Sequence, residues 1–175
     1  LSEVEPVQTR PKYSRLSGDL TRALVKMGFH TPSLCEQDYF PVTFLNALIG
    51  RGRSSRLYRT LKEEKGIVDA IATSYYAAAG VGYFTIEADL KPGQVALCEE
   101  EIWIEIGRIQ KDPPSVEEIE KVRNIVEANF FNEKEDVMGQ AYSLSFFHSL
   151  GGIEKMQEYV NQMRAVTPRD LVRVA

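Results

Sequence analysis

The sequence predicts an α+β domain: an antiparallel sheet with helices packed on one face. Strand-like alternation of apolar and polar residues occurs in three segments, all within the first 90 residues, whereas helical spacing occupies nearly everything after Pro92. The predicted order is therefore strand, two helices, two strands and then several helices. Strands that feed one sheet and a group of helices that covers it are typical of the α+β class.

The first strand is predicted within residues 19–29. Ala23, Val25, Met27 and Phe29 alternate with other residues and so fall on one side of an extended chain. The polar segment 1–18 before it contains Pro6, Pro11 and Gly18 and is interpreted as a linker or N-terminal arm. Residues 19–175 are interpreted as one domain.

A helix is predicted to follow, with Asp38 as its N-cap and with Pro41 in its first turn, where a missing N–H is tolerated. Gly50 suits the left-handed conformation that often ends a helix. A second helix is predicted from Ser54 or Ser55, either of which can cap it, to about residue 65, where Gly66 ends it. The segment GRGRSS is then the short turn of a helix pair.

The next two segments predict an antiparallel hairpin. Residues 67–76 are rich in β-branched and aromatic side chains, and residues 83–90 alternate strictly between apolar and polar. The segment AAGVG between them supplies the turn.

The remaining chain is predicted to be helical. Apolar spacing supports a helix from about 95 to 109, and Ser115 with Glu118 forms a capping box that opens the next one. Further helices are predicted at 137–150 and 153–164 and from Thr167, which is followed by a proline and an acidic residue. The chain stops one or two turns into that last helix, so we interpret it as a piece of a longer protein.

Composition limits the possible functions. The chain has 175 residues, a formal net charge of -4 and a sequence pI near 5.3, which disfavours nucleic acid as a partner. No stretch reaches the roughly 20 apolar residues of a membrane span, and no signal peptide is apparent. These features favour a soluble protein, with the cytoplasm preferred although the compartment stays open. Cys98 is predicted to be a small core residue, whereas Cys35 matches no metal or redox spacing.

Catalytic motifs are not found. His30 and His148 are far apart and belong to no zinc-binding motif. We interpret His30 as an ordinary loop residue and His148 as a packed or half-buried residue of a helix. The acidic runs Glu99–Glu101 and Glu117–Glu118 are interpreted as solvated helix faces. No metal site is predicted in this chain, and no nucleophile elbow is present.

The basic turn leaves two readings open. Arg51, Arg53 and Arg56 lie beside the predicted start of the second helix, where free N–H groups and guanidiniums could hold a carboxylate or phosphate. The favoured alternative is a solvated turn whose arginines pair with nearby acids.

Several ordered blocks of the sequence resemble the non-catalytic domain of the pitrilysin/insulinase family of zinc metallopeptidases, which includes the mitochondrial processing peptidases. These blocks are VKMGFHTPSL, then DYFPVTFLNALIGRGRSSRLYRTLKEEKGIVDAIATSYY, then GYFTIEADLKP, and finally AVTPRDLVRVA. The resemblance runs from about Asp19 to Ala175. It implies that GRGRSSRL is a fold signature, and that the family's last strand should follow Ala175.

The resemblance implies a clamshell enzyme whose two halves close around a peptide. Zinc is expected in another domain of the parent protein, where it polarises the scissile carbonyl while a glutamate activates water. The expected partners of this chain are that catalytic domain, in the same protein or in a sister subunit, and a peptide substrate. Nucleic acid and membrane are not expected.

One pair of positions carries information about the half to which the domain belongs. In one domain of the family an arginine and a tyrosine seven residues later contact substrate, and Lys62 and Asp69 occupy those positions here. Lysine lacks the bidentate fork of arginine, and aspartate has the wrong charge to help an oxyanion. The resemblance therefore predicts a wall domain of the zinc-carrying half. The alternatives are a domain of a structural relative, such as a core subunit of a respiratory complex that serves in assembly, and a free-standing anion-binding module.

Overall fold

The computed structural model describes residues 8–78 and 80–175. Within them the chain forms three strands, six α-helices, one π-helix and a single turn of 3₁₀-helix. In chain order these are β1 Ala23–His30, α1 Tyr39–Gly50, the π-helix Tyr58–Glu64, β2 Val68–Ala78, β3 Val81–Leu90, the 3₁₀ turn Pro92–Gln94, α2 Val95–Lys111, α3 Val116–Asn132, α4 Val137–Ser149, α5 Lys155–Arg164 and α6 Pro168–Val174. Residues 8–22 are exposed and lack a helix or strand, and the first seven residues of the predicted linker lie outside the described part.

The three strands form one antiparallel sheet in the order β1-β3-β2, which confirms the predicted α+β fold. Val25 of β1 faces Ala88 of β3, and Ile71 of β2 faces Ala88 from the other side. The hairpin turn is tighter than the sequence predicts, because Ala78 and Val81 already pair with each other as strand residues. Gly80 in that turn has a φ of 88°, a conformation that costs glycine little.

The core lies between the helices and one face of the sheet. The strict alternation of β3 places four of its residues on that face, and all four are buried: Phe84, Ile86, Ala88 and Leu90. The same cluster includes Phe44 and Leu48 of α1 and Ile102 of α2. Helices before and after the β2–β3 hairpin therefore share a single core with the sheet. Cys98 is part of it, as predicted, and burial raises the pKa of its thiol to about 11.

Two predicted roles at the ends of α1 are wrong. Asp38 does lie at the N-cap position, but its side chain caps nothing; its carboxylate instead accepts from Arg173 Nη1 at 2.6 Å. Gly50 does end α1 but does not take the left-handed conformation, which belongs to Gly52 with a φ of 79°. Gly50 is required for another reason: a Cβ there would lie 1.9 Å from Thr73 Oγ1 on β2.

The second predicted helix forms, but its main part is a π-helix, with Lys65 N–H donating to the carbonyl of Thr60 five residues back. Ser55 does not cap it. The Ser55 hydroxyl donates to the carbonyl of Gly52 at 2.7 Å and so tightens the turn. Gly66 ends the helix with a φ of 61°, as predicted.

The helix starts predicted in the second half of the chain are confirmed. Ser115 and Glu118 form a complete capping box at the start of α3. Asp170 accepts from both the N–H and the hydroxyl of Thr167 at the start of α6, at 2.9 and 2.6 Å. These hydrogen bonds lower the pKa of the Asp170 carboxyl.

Candidate functional site

Two arginines of the helix-pair turn, Arg53 and Arg56, take separate partners. Arg53 is 84% exposed and lies 3.6 Å from Glu63, a loose surface pair. Arg56 is 18% exposed and points toward α3. These two arginines thus pair with nearby acids, as the favoured interpretation of the turn expects.

Arg56 makes a bidentate ion pair with Glu118. Its Nε lies 3.1 Å from one carboxylate oxygen and its Nη2 lies 2.8 Å from the other. Glu118 also accepts from the N–H of Ser115, so one carboxylate both completes the cap of α3 and fastens the turn. The hydrogen bond from Arg56 lowers the pKa of Glu118, and the acid is ionised at neutral pH. Glu118 was predicted to lie on a solvated face; its side chain is 37% exposed and also has this partner within the domain.

Lys62 and Asp69 are placed on different elements and contact different partners. Lys62 lies on the π-helix with its ammonium 5.1 Å from the centre of the Tyr58 ring. Asp69 is exposed near the start of β2, at a register shift in its pairing with β3. Its carboxylate lies 2.9 Å from Arg22, whose Nε also donates to Asp89 at 2.5 Å. Both side chains are thus held by neighbours within the domain.

The side chains that could bind zinc do not come together in the described part of the chain. His30 is the last residue of β1, not a loop residue, and His148 lies exposed on α4, not packed as predicted. No group of three His, Cys, Asp or Glu side chains that could hold a metal occurs among the described residues. A catalytic zinc site needs three protein ligands.

Two buried carboxylates on α2 were missed by the sequence interpretation. Glu101 is 8% exposed and pairs with Lys65, and Glu105 is 4% exposed and pairs with Arg108. The interpretation of Glu101 as a solvated acid is therefore wrong. The spacing could have revealed it, because both glutamates fall on the same helical stripe as Cys98. Lys65 thereby joins the end of the π-helix to α2.

Aromatic side chains form a second cluster where α1, α3, α4 and α5 meet. The hydroxyls of Tyr39 and Tyr159 lie 3.0 Å apart, and the Tyr159 ring stacks on Phe130 at 5.3 Å. Burial raises the pKa of Tyr159, which stays neutral. Lys134 donates to the carbonyl of Phe130 and lies 2.9 Å from the centre of its ring, and burial lowers the pKa of this ammonium. A cavity of about 140 Å³ lies among these side chains.

The fold, the helix-pair turn and the ordered sequence blocks define the class of protein, and comparison with known families agrees. Residues 2–126 match the peptidase M16 inactive domain family. The chain belongs to this family.

Known relatives place the domain within longer proteins. An uncharacterized zinc protease of Rickettsia bellii is 25% identical over 99% of this chain, and the match covers 42% of that protein. The crystal structure of a protease from Helicobacter pylori has a TM-score of 0.80 at 20% identity and covers 90% of this chain and 38% of its own. The chain thus spans about two fifths of the length of these two relatives.

Two further structures share the fold. A crystal structure of an inactive peptidase domain from Bordetella parapertussis has a TM-score of 0.76 at 19% identity, over 87% of this chain and 84% of that one. A chain of complex III2 from Candida albicans has a TM-score of 0.74 at 15% identity, over 89% of this chain and 39% of its own. Among the described residues, no helix is long and apolar enough to cross a membrane.

Proposed function

We propose that this chain is a non-catalytic wall domain of a zinc metallopeptidase that cleaves peptides, with the zinc site in another domain of a longer parent protein. Membership of the M16 inactive domain family is the observation that carries the proposal. The zinc protease from Rickettsia bellii, whose length exceeds the matched region more than twofold, supports it.

The role of the domain is to complete the chamber in which the peptide is held. Closing a chamber excludes water and orients a substrate relative to the reacting groups. In this proposal the chain contributes surface and rigidity. Arg56 and Asp69 form ion pairs within the domain, and Lys62 lies over the Tyr58 ring of its own helix. The proposal also assigns the domain to the half that carries the zinc.

The experiment compares the 175-residue chain with the intact parent protein. After dialysis, the parent should retain zinc near one equivalent and should cleave an unfolded peptide in a chelator-sensitive reaction. The 175-residue chain alone should do neither. Chelator-sensitive cleavage by the chain alone, or a parent without zinc and without cleavage, would contradict the proposal.

A structural role in a respiratory complex is the second candidate, and the likeness to a chain of complex III2 favours it. That likeness, at 15% identity, concerns the fold. The two candidates differ in the sequence of the parent outside this chain: the peptidase requires a zinc motif such as His-x-x-Glu-His there, and the assembly subunit does not.

A further inference from the structure

The outer side of α4 is unusually apolar for a surface helix. Val137, Met138 and Tyr142 in its first two turns are 80%, 78% and 70% exposed, and Leu144 is 58% exposed. The inner side of the same helix is anchored by Phe147, which is 1% exposed. A helix that is apolar on both sides usually lies in a protein interior.

The charge pattern sets α4 apart from its neighbour. Residues 137–150 contain no Asp, Glu, Lys or Arg, although these residues make up 26% of the chain. The exposed side of α5 instead carries Lys155, Glu158 and Arg164, and each of them forms an ion pair. Depletion of charge marks the centre of protein interfaces, and exposed apolar patches of this kind mark sites of interaction.

A cavity lies at the edge of this surface. Its volume is about 140 Å³, and Tyr142, Phe146 and Phe147 of α4 line it together with Phe130 and Tyr159. Glu133, Lys134 and Ser143 also line it, so the cavity offers polar as well as aromatic contacts. A volume of roughly 150 Å³ is enough for a benzene-sized group. Aromatic anchors that fill such pockets supply much of the binding energy of interfaces.

The lengths of the relatives indicate what covers this surface. The match covers 42% of the Rickettsia bellii protease and 38% of the Helicobacter pylori protease, so more than half of each protein lies outside the matched region. We propose that the outer face of α4 (Val137, Met138, Tyr142 and Leu144) docks against another domain of the same parent protein, which inserts an aromatic side chain into the adjoining cavity. The identity of this partner rests on the proposed function; the existence of an interface does not.

Cysteine labelling tests the docking. In a Cys35→Ser background, which leaves the buried Cys98, Met138→Cys and Leu144→Cys would each be labelled with a maleimide in the 175-residue chain and in the intact parent. Labelling should be at least tenfold slower in the parent at both positions. Gln110→Cys, at an exposed position of α2, is the control and should change less than twofold.

Equal rates in the two forms would overturn the proposal, and so would equal slowing at the control. Protection that appears in the isolated chain and grows with its concentration would also overturn it, because a second copy would then be the partner. A parent that lacks zinc and peptidase activity but protects α4 would refute the proposed function and leave the interface standing.

A charge variant gives an independent readout. Met138→Glu with Leu144→Glu should leave the melting temperature of the isolated chain within about 3 °C, because both side chains face water there. The same change should lower the melting temperature of the parent by more than about 5 °C.

Ser143→Phe tests the aromatic side chain that is proposed to enter the cavity. The new ring fills the cavity from α4, so labelling at Met138→Cys should be restored in the parent. Unchanged protection there would refute the aromatic anchor.

Discussion

Arg56 holds both oxygens of Glu118, at 3.1 and 2.8 Å, although the two residues are 62 positions apart. The pair joins the helix-pair turn to the first turn of α3. Because Glu118 also receives the Ser115 N–H, removal of the guanidinium would leave a half-buried carboxylate with a single hydrogen bond. Arg56 of the basic turn therefore serves the fold.

The first prediction concerns this pair. Arg56→Met, which keeps the apolar stem, should lower the free energy of unfolding by about 1–2 kcal/mol, a range already reduced for the partial exposure of Glu118. Arg53→Met is the matched control, since Arg53 is 84% exposed, and should change it by less than about 0.5 kcal/mol. Urea denaturation of the 175-residue chain measures both. Equal effects would show that Arg56 contributes no more than a surface arginine.

The pH dependence of stability follows from Glu118 and Asp170. Hydrogen bonds from Arg56 and from Thr167 lower the pKa of each carboxyl in the folded state. Each group therefore stabilises the fold fully above its unfolded pKa, near 4, and this contribution is lost as the pH falls through the lower folded pKa. Stability should decline below about pH 4.5, and Arg56→Met should make that decline shallower. An unchanged slope in the variant would contradict the assignment to Glu118.

Two glycines in the turn should respond differently to alanine. Gly50→Ala places a Cβ 1.9 Å from Thr73 Oγ1 and should destabilise the chain by about 2–4 kcal/mol, because strand and helix must separate. Gly52→Ala meets no atom but has a φ of 79°, so we expect about 1 kcal/mol. Thr73→Ala should recover part of the loss in Gly50→Ala but none in Gly52→Ala. Thermal denaturation of the four variants checks the order.

The fourth prediction concerns Lys62 and Asp69 in the intact parent protein. Lys62→Ala with Asp69→Ala should leave kcat/KM for peptide cleavage within about tenfold, because in the proposed function neither residue contacts the transition state. A loss of about a thousandfold, typical of a lost oxyanion donor, in a protein that still folds would make these residues a working variant of the family's substrate-binding pair. The domain would then belong to the other half.

The sequence predicted the fold well because its signals were local and periodic. The alternation of Phe84 and Ile86 with polar residues and the capping box at Ser115 can be recognised without tertiary contacts. The structure confirms both the strand and the cap. The roles predicted for Asp38 and Gly50 were wrong because they depend on tertiary contacts. Their positions at the helix ends were right, but their partners, Arg173 and Thr73, come from distant parts of the chain.

The candidate site was harder to predict because the role of a charged residue depends on whether its side chain is buried or solvated. A run of three glutamates is typical of a solvated face, yet Glu101 is buried against Lys65 while Glu100 is exposed. Only the register of α2 distinguishes them. The apolar outer face of α4 was not predicted either, because a helix was predicted at 137–150 without an assignment of its faces.

The ion pair between Asp38 and Arg173 has a consequence for synthesis on the ribosome. It joins the N-terminus of α1 to α6 across 135 positions, and much of α1 is buried. The three described strands end at Leu90, but another 84 residues (174 minus 90) are made before α6 ends at Val174. At the usual rates of translation this takes about 4–17 s. During that interval the nascent hairpin and α1 expose apolar side chains that α3 and α6 later cover, which makes this half-built stage the natural target of chaperones.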